Sequence, residues 1–125
     1  VLLEGEMGAG KSTFARALIK GLGVNKPPEG SPSFALAHEY RSVKGEIVHL
    51  DFYRLKSELE IEEAGIHDYF WERDAIVLSE WISNFPSFEA SVMNDRLKSR
   101  AVWTVRIKFG SSPDTRELEI RRQET

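Results

Sequence analysis

The sequence predicts an α/β domain: one sheet that mixes parallel and antiparallel strands, flanked by helices. Three observations predict it. An apolar run, Val1-Leu2-Leu3, leads through a glycine-rich stretch into a segment with helical spacing of its apolar residues. A second apolar run of strand length, Ala75 to Ser79, stands beyond an acidic, helix-like segment. Two further pairs of strand-like segments are each joined by a short connector containing glycine, the mark of an antiparallel hairpin. At 125 residues the chain makes one domain, 1–125, with a single core.

Taken in order, Val1 to Glu4 reads as a short buried strand. Lys11 to Leu22 reads as a helix because Phe14, Ala15, Leu18 and Leu22 recur at helical spacing, and Gly21 and Gly23 close it. Asn25 to Pro32 is rich in Pro, Gly and Ser and reads as a loop. Phe34 to Tyr40 and Glu46 to Asp51 suit two strands of a hairpin through Arg41-Ser42-Val43-Lys44-Gly45. Ser57 to Ala64 is acidic and helical, with Gly65 as its stop, and Ala75 to Ser79 is the next strand. Ile82 to Ser99 is polar, contains Pro86 and has no clean period, so it receives no assignment. In Val102 to Phe109 the residues Trp103, Val105, Ile107 and Phe109 alternate with their neighbours, and Leu118 and Ile120 alternate with Glu117, Glu119 and Arg121. The linker Gly110 to Thr115 makes these a second hairpin. No internal repeat, low-complexity tract or domain boundary interrupts the chain.

Composition narrows the function. A net charge of -3, from 17 basic against 20 acidic residues, argues against broad nucleic-acid binding and leaves DNA out of the expected partners. There are no cysteines, which excludes disulfides and thiolate metal sites and suits a reducing cytoplasm. No apolar run approaches the length of a membrane span and no signal peptide is visible, so a cytoplasmic location without a membrane partner is expected. The chain opens on Val1 in what reads as mid-strand; the expectation is a domain truncated at its N-terminus.

Chemistry enters at Gly5-Glu6-Met7-Gly8-Ala9-Gly10-Lys11-Ser12, which fits the phosphate-loop pattern G-x-x-x-x-G-K-[ST]. Gly5, Gly8 and Gly10 let the backbone curl with its N–H groups inward, at the positive end of the following helix. Lys11 should reach the β and γ phosphates of a nucleotide, and the Ser12 hydroxyl should ligate Mg²⁺. Such loops work with an acid at the end of a neighbouring strand. Two candidates exist. Glu80 ends the more apolar run and is the metal candidate; Asp51 is the candidate for positioning water or sensing the γ-phosphate.

Other residues are less committed. Ser31-Pro32-Ser33-Phe34 offers hydroxyls where nucleotide switches feel the γ-phosphate, but Ser-Pro is also ordinary turn chemistry. Arg54 suits a phosphate or a nearby glutamate equally. His38, His49 and His67 show no metal-cage spacing and are assigned structural roles. Trp71 and Trp103 read as core or semi-buried aromatics, and Trp81, beside Glu80, as core packing ahead of a cover for the nucleotide. The basic run Arg96 to Arg100 reads as solvated surface ahead of a site for an acidic or RNA partner.

Three uses of the nucleotide remain at this point. A small-molecule kinase would need an acceptor pocket with a catalytic acid and an arginine-rich lid; Arg96 to Arg100 could serve as the lid, but no acceptor pocket is evident. A GTPase lacks its base-reading motif, since Asn25-Lys26 is followed by Pro27-Pro28. A non-catalytic interaction module would use the nucleotide to set its affinity for a partner.

In order along the chain, GEMGAGKST, SPSF, HLDFYRL (His49 to Leu55), EEAGIHDYF (Glu62 to Phe70) and SEW (Ser79 to Trp81) resemble the TsaE (YjeE) family over nearly all 125 residues. That resemblance implies a single P-loop NTPase domain, a bacterial cytoplasmic ATPase using ATP and Mg²⁺. It implies a part in the threonylcarbamoyl modification of the adenosine beside the anticodon of tRNAs. The partner implied is the TsaB–TsaD pair, in which TsaD carries the transfer chemistry and TsaC supplies the threonylcarbamoyl-adenylate, with tRNA an indirect partner. On these residues the resemblance implies that Gly5 and Gly8, Ala9, Gly10, Lys11, Ser12 and Thr13 hold the phosphates, helped by Ser33. It further implies Mg²⁺ on Ser12 and Glu80, Asp51 by the γ-phosphate, Trp81 supporting Glu80, and Arg116 of the last hairpin reaching the nucleotide. Lys11, Asp51 and Glu80 would be the catalytic set. Ser12 and Ser33 stand where the family more often has Thr, which keeps each hydroxyl. The family carries a strand and a helix ahead of the loop that are not found before Val1.

Overall fold

The computed structural model of the chain describes residues 1–24, 37–94 and 100–123. The described residues form one six-stranded sheet from β1 (Leu2–Gly5), β2 (Ala37–Ser42), β3 (Gly45–Asp51), β4 (Ala75–Glu80), β5 (Trp103–Phe109) and β6 (Arg116–Arg122). The order across the sheet is β2-β3-β4-β1-β5-β6. The inner four strands run parallel, and each edge strand is the antiparallel arm of a hairpin. This is the mixed α/β sheet that the pattern predicts.

Strands β1, β3 and β4 bury residues on both faces, so the sheet splits the single core expected from the chain's length into two layers, while β5 buries only Val105 and Ile107 on one face. On one side α1 (Lys11–Gly21) lays Ala15 and Ile19 against Leu3, Ile47, Leu78, Val105 and Ile107. On the other, Leu2, Val48, Leu50 and Val77 meet Ile61 of α2 (Glu58–Glu63), Phe70, and Phe88 and Val92 of α3 (Pro86–Met93). In β1, β3 and β4 the alternation of side chains between faces feeds both layers.

α2 starts where the composition says it should. Ser57 accepts a hydrogen bond from the Glu60 backbone N–H at 3.4 Å, and the Glu60 carboxylate reaches back to the Lys56 N–H at 2.5 Å. That is a capping box displaced by one residue on its return arm. A short π-helical segment, Asp68–Glu72, follows and buries Phe70, while His67 before it stacks on Trp71 at 5.0 Å.

Some expectations need correction. Within the unassigned stretch Ile82 to Ser99 the described residues are helical: a 3-10 turn at Ile82–Asn84, then α3. Pro86 does not break that helix but opens it, where its missing N–H costs nothing. The apolar spacing Phe85, Phe88, Val92 is helical, masked in the sequence by the serines and asparagine around it. Trp103 is not core: it is 41% exposed, because it sits at the start of β5 beyond the cover of α1. The first connector is tighter than read, since Ser42 and Gly45 already pair and leave only Val43 and Lys44 in the turn. The Asn25 to Pro32 loop, the start of the Phe34 to Tyr40 strand, the Ser31 to Phe34 motif with Ser33, and Arg96 to Ser99 lie outside the described residues. Arg100, the last of that basic run, donates to the Tyr69 carbonyl at 3.2 Å.

Candidate functional site

β1 ends at Gly5 and α1 begins at Lys11, so the whole strand-to-helix passage is made in five residues. Gly8 (φ 80°) and Gly10 (φ 113°) hold left-handed backbone values that side chains rarely tolerate. Gly10 is also the N-cap of α1; it supplies no side-chain acceptor, and the first turn carries no acidic residue. The positive end of this helix is therefore left for an outside anion.

Asp51 and Glu80 occupy the last positions of β3 and β4, where they are register partners; Glu80 is also the partner of Leu3 on β1. Three strand ends and the loop thus meet at the carboxyl edge of the parallel sheet, where open α/β sheets form ligand sites. They enclose a cleft of about 330 Å³, lined by Gly8, Gly10, Lys11, Ser12 and Thr13 from the loop and helix and by Asp51, Glu80 and Trp81 from the strand ends. Met7, Tyr53 and Arg54 complete its wall. Another cavity, of about 400 Å³ and lined by Phe70, Trp71 and Val92 among others, lies at the opposite end of the strands beside Gly45 and Ala75.

Glu80 is only 2% exposed and fully engaged. Ser12 Oγ donates to it at 3.0 and 3.1 Å from its two oxygens, and His49 Nε2 lies 2.6 Å from Oε2. Lys11 Nζ donates to the carbonyls of Gly5 at 2.5 Å and Glu6 at 3.0 Å and sits 3.9 Å from the Trp81 ring centroid. Burial pulls the Lys11 pKa below its ordinary value, against the opposing pull of the Glu80 and Asp51 carboxylates. Asp51 accepts the Tyr53 N–H at 3.0 Å. Its pKa is raised, by burial first and by Glu80, against the Tyr53 N–H, His49 and Lys11.

Trp81 is the one non-glycine residue with positive φ (64°) among the described residues. A bulky side chain in that conformation is strained, and strain of this kind collects at functional sites. Its ring meets Tyr53 at 5.0 Å, forms part of the cleft and also packs against the core cluster on the α3 side. Trp81 thus packs against the core, as read from the sequence, and also lines the cleft.

Arg116 stands apart from the cleft lining. Its guanidinium donates to the Ala9 carbonyl at 2.9 Å and to Pro113 and Thr115, and lies over Phe109. It braces the outer side of the loop. His49 is the residue that sequence reasoning placed correctly on a strand but left without chemistry. The signal was period two: Ile47, His49 and Asp51 share a face of β3, as Leu78 and Glu80 do of β4.

Among the described residues no group of three or more His, Cys, Asp or Glu could hold a metal alone. Ser12 and Glu80 form a smaller oxygen pair, the donor set with which proteins hold Mg²⁺ when phosphate oxygens and water complete its shell. Among the described residues no helix is long and apolar enough to cross a membrane.

A glycine loop joining a parallel strand to a helix, with acids at the ends of adjacent parallel strands, defines a nucleotide-binding domain of the P-loop NTPase fold. The solved crystal structure of Bacillus subtilis YdiB has this fold, with a TM-score of 0.63, 24% identity, 98% of this chain covered and 66% of that one. The chain belongs to the TsaE family: the family model for threonylcarbamoyl adenosine biosynthesis protein TsaE matches residues 1–117. It is similar to the tRNA threonylcarbamoyladenosine biosynthesis protein TsaE of Haemophilus influenzae, 42% identical over 81 residues, or 65% of this chain and 50% of that protein. The Nostoc protein of the same name is 37% identical over 98 residues, covering 75% of this chain and 59% of its own length. The chain spans about half the length of the curated relatives it matches.

Proposed function

We propose that this chain binds and hydrolyses ATP with Mg²⁺ and serves the threonylcarbamoylation of the tRNA adenosine beside the anticodon, as a nucleotide-gated partner of a TsaB–TsaD complex in the cytoplasm. The observation that supports it most is the convergence of Lys11, Ser12, Asp51 and Glu80 on one cleft against the uncapped start of α1. The names carried by its relatives supply the pathway.

In this reading the N–H groups of Gly8 to Thr13 hold the phosphates, and the Lys11 ammonium, already beside Glu80 and Asp51, offsets their charge. Asp51 orients the attacking water, a task suited to a carboxylate whose affinity for protons is raised. Ser12 and Glu80 would hold Mg²⁺, which supplies Lewis-acid neutralisation of the phosphate oxygens. Arg116 supports the loop from behind, and Ser33 is kept as a γ-phosphate contact from the segment outside the described residues. Two nucleotide states that differ in these contacts would differ in affinity for the partner, which is the gate.

The test is ATP hydrolysis by the chain alone and with TsaB–TsaD, beside Glu80→Ala. Stimulation by the partners that Glu80→Ala abolishes is the expected result. Unchanged hydrolysis in Glu80→Ala would remove the metal assignment, and phosphate transfer to a metabolite instead of water would replace the reading with a kinase.

A further inference from the structure

We infer that His49 is a positioning residue: its ring N–H holds the Glu80 carboxylate in the orientation that takes the metal. This rests on the proposed role of Glu80 and names the residue that makes that role work.

His49 has no exposed surface and Glu80 almost none, and the two meet at 2.6 Å. A carboxylate only accepts, so Nε2 carries the proton and donates it to Oε2. The other ring nitrogen, Nδ1, is buried without a hydrogen-bond partner among the described residues. A buried polar atom left unpaired is costly, and an aliphatic side chain, such as those of Ile47 and Leu78 beside it on the same face, would fill the position without that cost. Packing therefore does not account for an imidazole here; the bond to Glu80 does.

The strand register makes the bond possible. His49 lies opposite Leu78, and Glu80 is two residues further along the same face of β4, so the ring reaches diagonally toward the carboxyl edge. His49 engages Oε2 only, whereas Ser12 donates to both oxygens. Without His49 the carboxylate would be free to rotate about its last bond while still facing Ser12. Hydrogen-bonded supports of this kind orient ligating carboxylates and tune metal affinity.

The test uses two substitutions of nearly equal shape, His49→Gln, which keeps an N–H donor at the reach of Nε2, and His49→Met, which does not. Each is saturated with a non-hydrolysable ATP analogue and titrated with Mn²⁺, read by electron paramagnetic resonance; affinity for the analogue is also measured in EDTA. His49→Met should weaken Mn²⁺ binding roughly 10- to 100-fold, His49→Gln far less, with metal-free affinity for the analogue unchanged in both. Equal Mn²⁺ affinity in the two variants overturns the proposal. So does a Met variant that fails to fold beside a folded Gln variant, since the bond would then be structural. Glu80→Gln separates the two levels. If it leaves Mn²⁺ affinity intact, the reading of Glu80 itself falls; if it loses Mn²⁺ while both His49 variants keep it, only the positioning role falls.

Discussion

Strands β4 and β6 differ in sequence, a continuous apolar run against an alternation, and have opposite fates. In β4 the last four residues, Val77 to Glu80, are all buried, including the polar Ser79 and Glu80. In β6 every residue from Arg116 to Arg122 is exposed, with Leu118 at 53% and Ile120 at 55%. The register places Leu118 and Ile120 beside Ile107 and Val105, so they continue the α1-side face of the sheet. The difference is cover. Leu78 lies under α1, whereas β6 is the edge strand and lies beyond it. Alternation tells which residues share a face; it does not tell whether anything is packed on that face.

The comparison can be sharpened by shortening one aliphatic side chain in each strand. Leu78→Ala, at a position with no exposed surface, should lower unfolding free energy by about 2–5 kcal/mol in a denaturant titration. A loss under about 1 kcal/mol would mean that the inner sheet is far less tightly packed than its burial indicates.

A smaller effect belongs to the acid that ends β3. The folded chain holds the Asp51 proton to higher pH than the ordinary carboxylate value of 3.8, chiefly through burial. With the folded value raised, folding is favoured while the group is protonated, below that ordinary value, and this contribution is lost as pH rises through the folded value. Asp51→Asn should therefore raise the thermal midpoint at neutral pH, and the gain should shrink as pH falls toward 3.8. A neutral-pH midpoint unchanged or lowered by Asp51→Asn would contradict this account, which treats the acid as kept for chemistry at a loss in stability.

The smallest effect is expected at the edge. Ile120→Ser should change unfolding free energy by less than about 0.5 kcal/mol, since its side chain is already more than half in water. A larger loss, seen in the same titration as Leu78→Ala, would show that β6 is covered in solution.

The same distinction separates the parts of the site. Asp51 and Glu80 were legible as acids ending apolar strands, and the glycine loop as the passage from strand to helix, because both are contiguous in sequence. The His49–Glu80 bond joins residues 31 apart and the Ser12–Glu80 bond residues 68 apart. No local pattern contains either. α3 was illegible for another reason: its apolar stripe of Phe85, Phe88 and Val92 is narrow, and a proline at its head looks like a breaker unless the helix boundary is known.

Short-range features can be read from the chain alone: the loop with its helix, the two hairpins, and the face on which each strand residue lies. These follow from backbone sterics and side-chain period, which act over a few residues. Only packing of the full chain places β4 between β3 and β1, so that Glu80 meets both His49 and Ser12, and sets α1 over Leu78 but not over Ile120. Burial and partnership depend on which elements come to lie side by side, and that is settled by the packing of the whole chain.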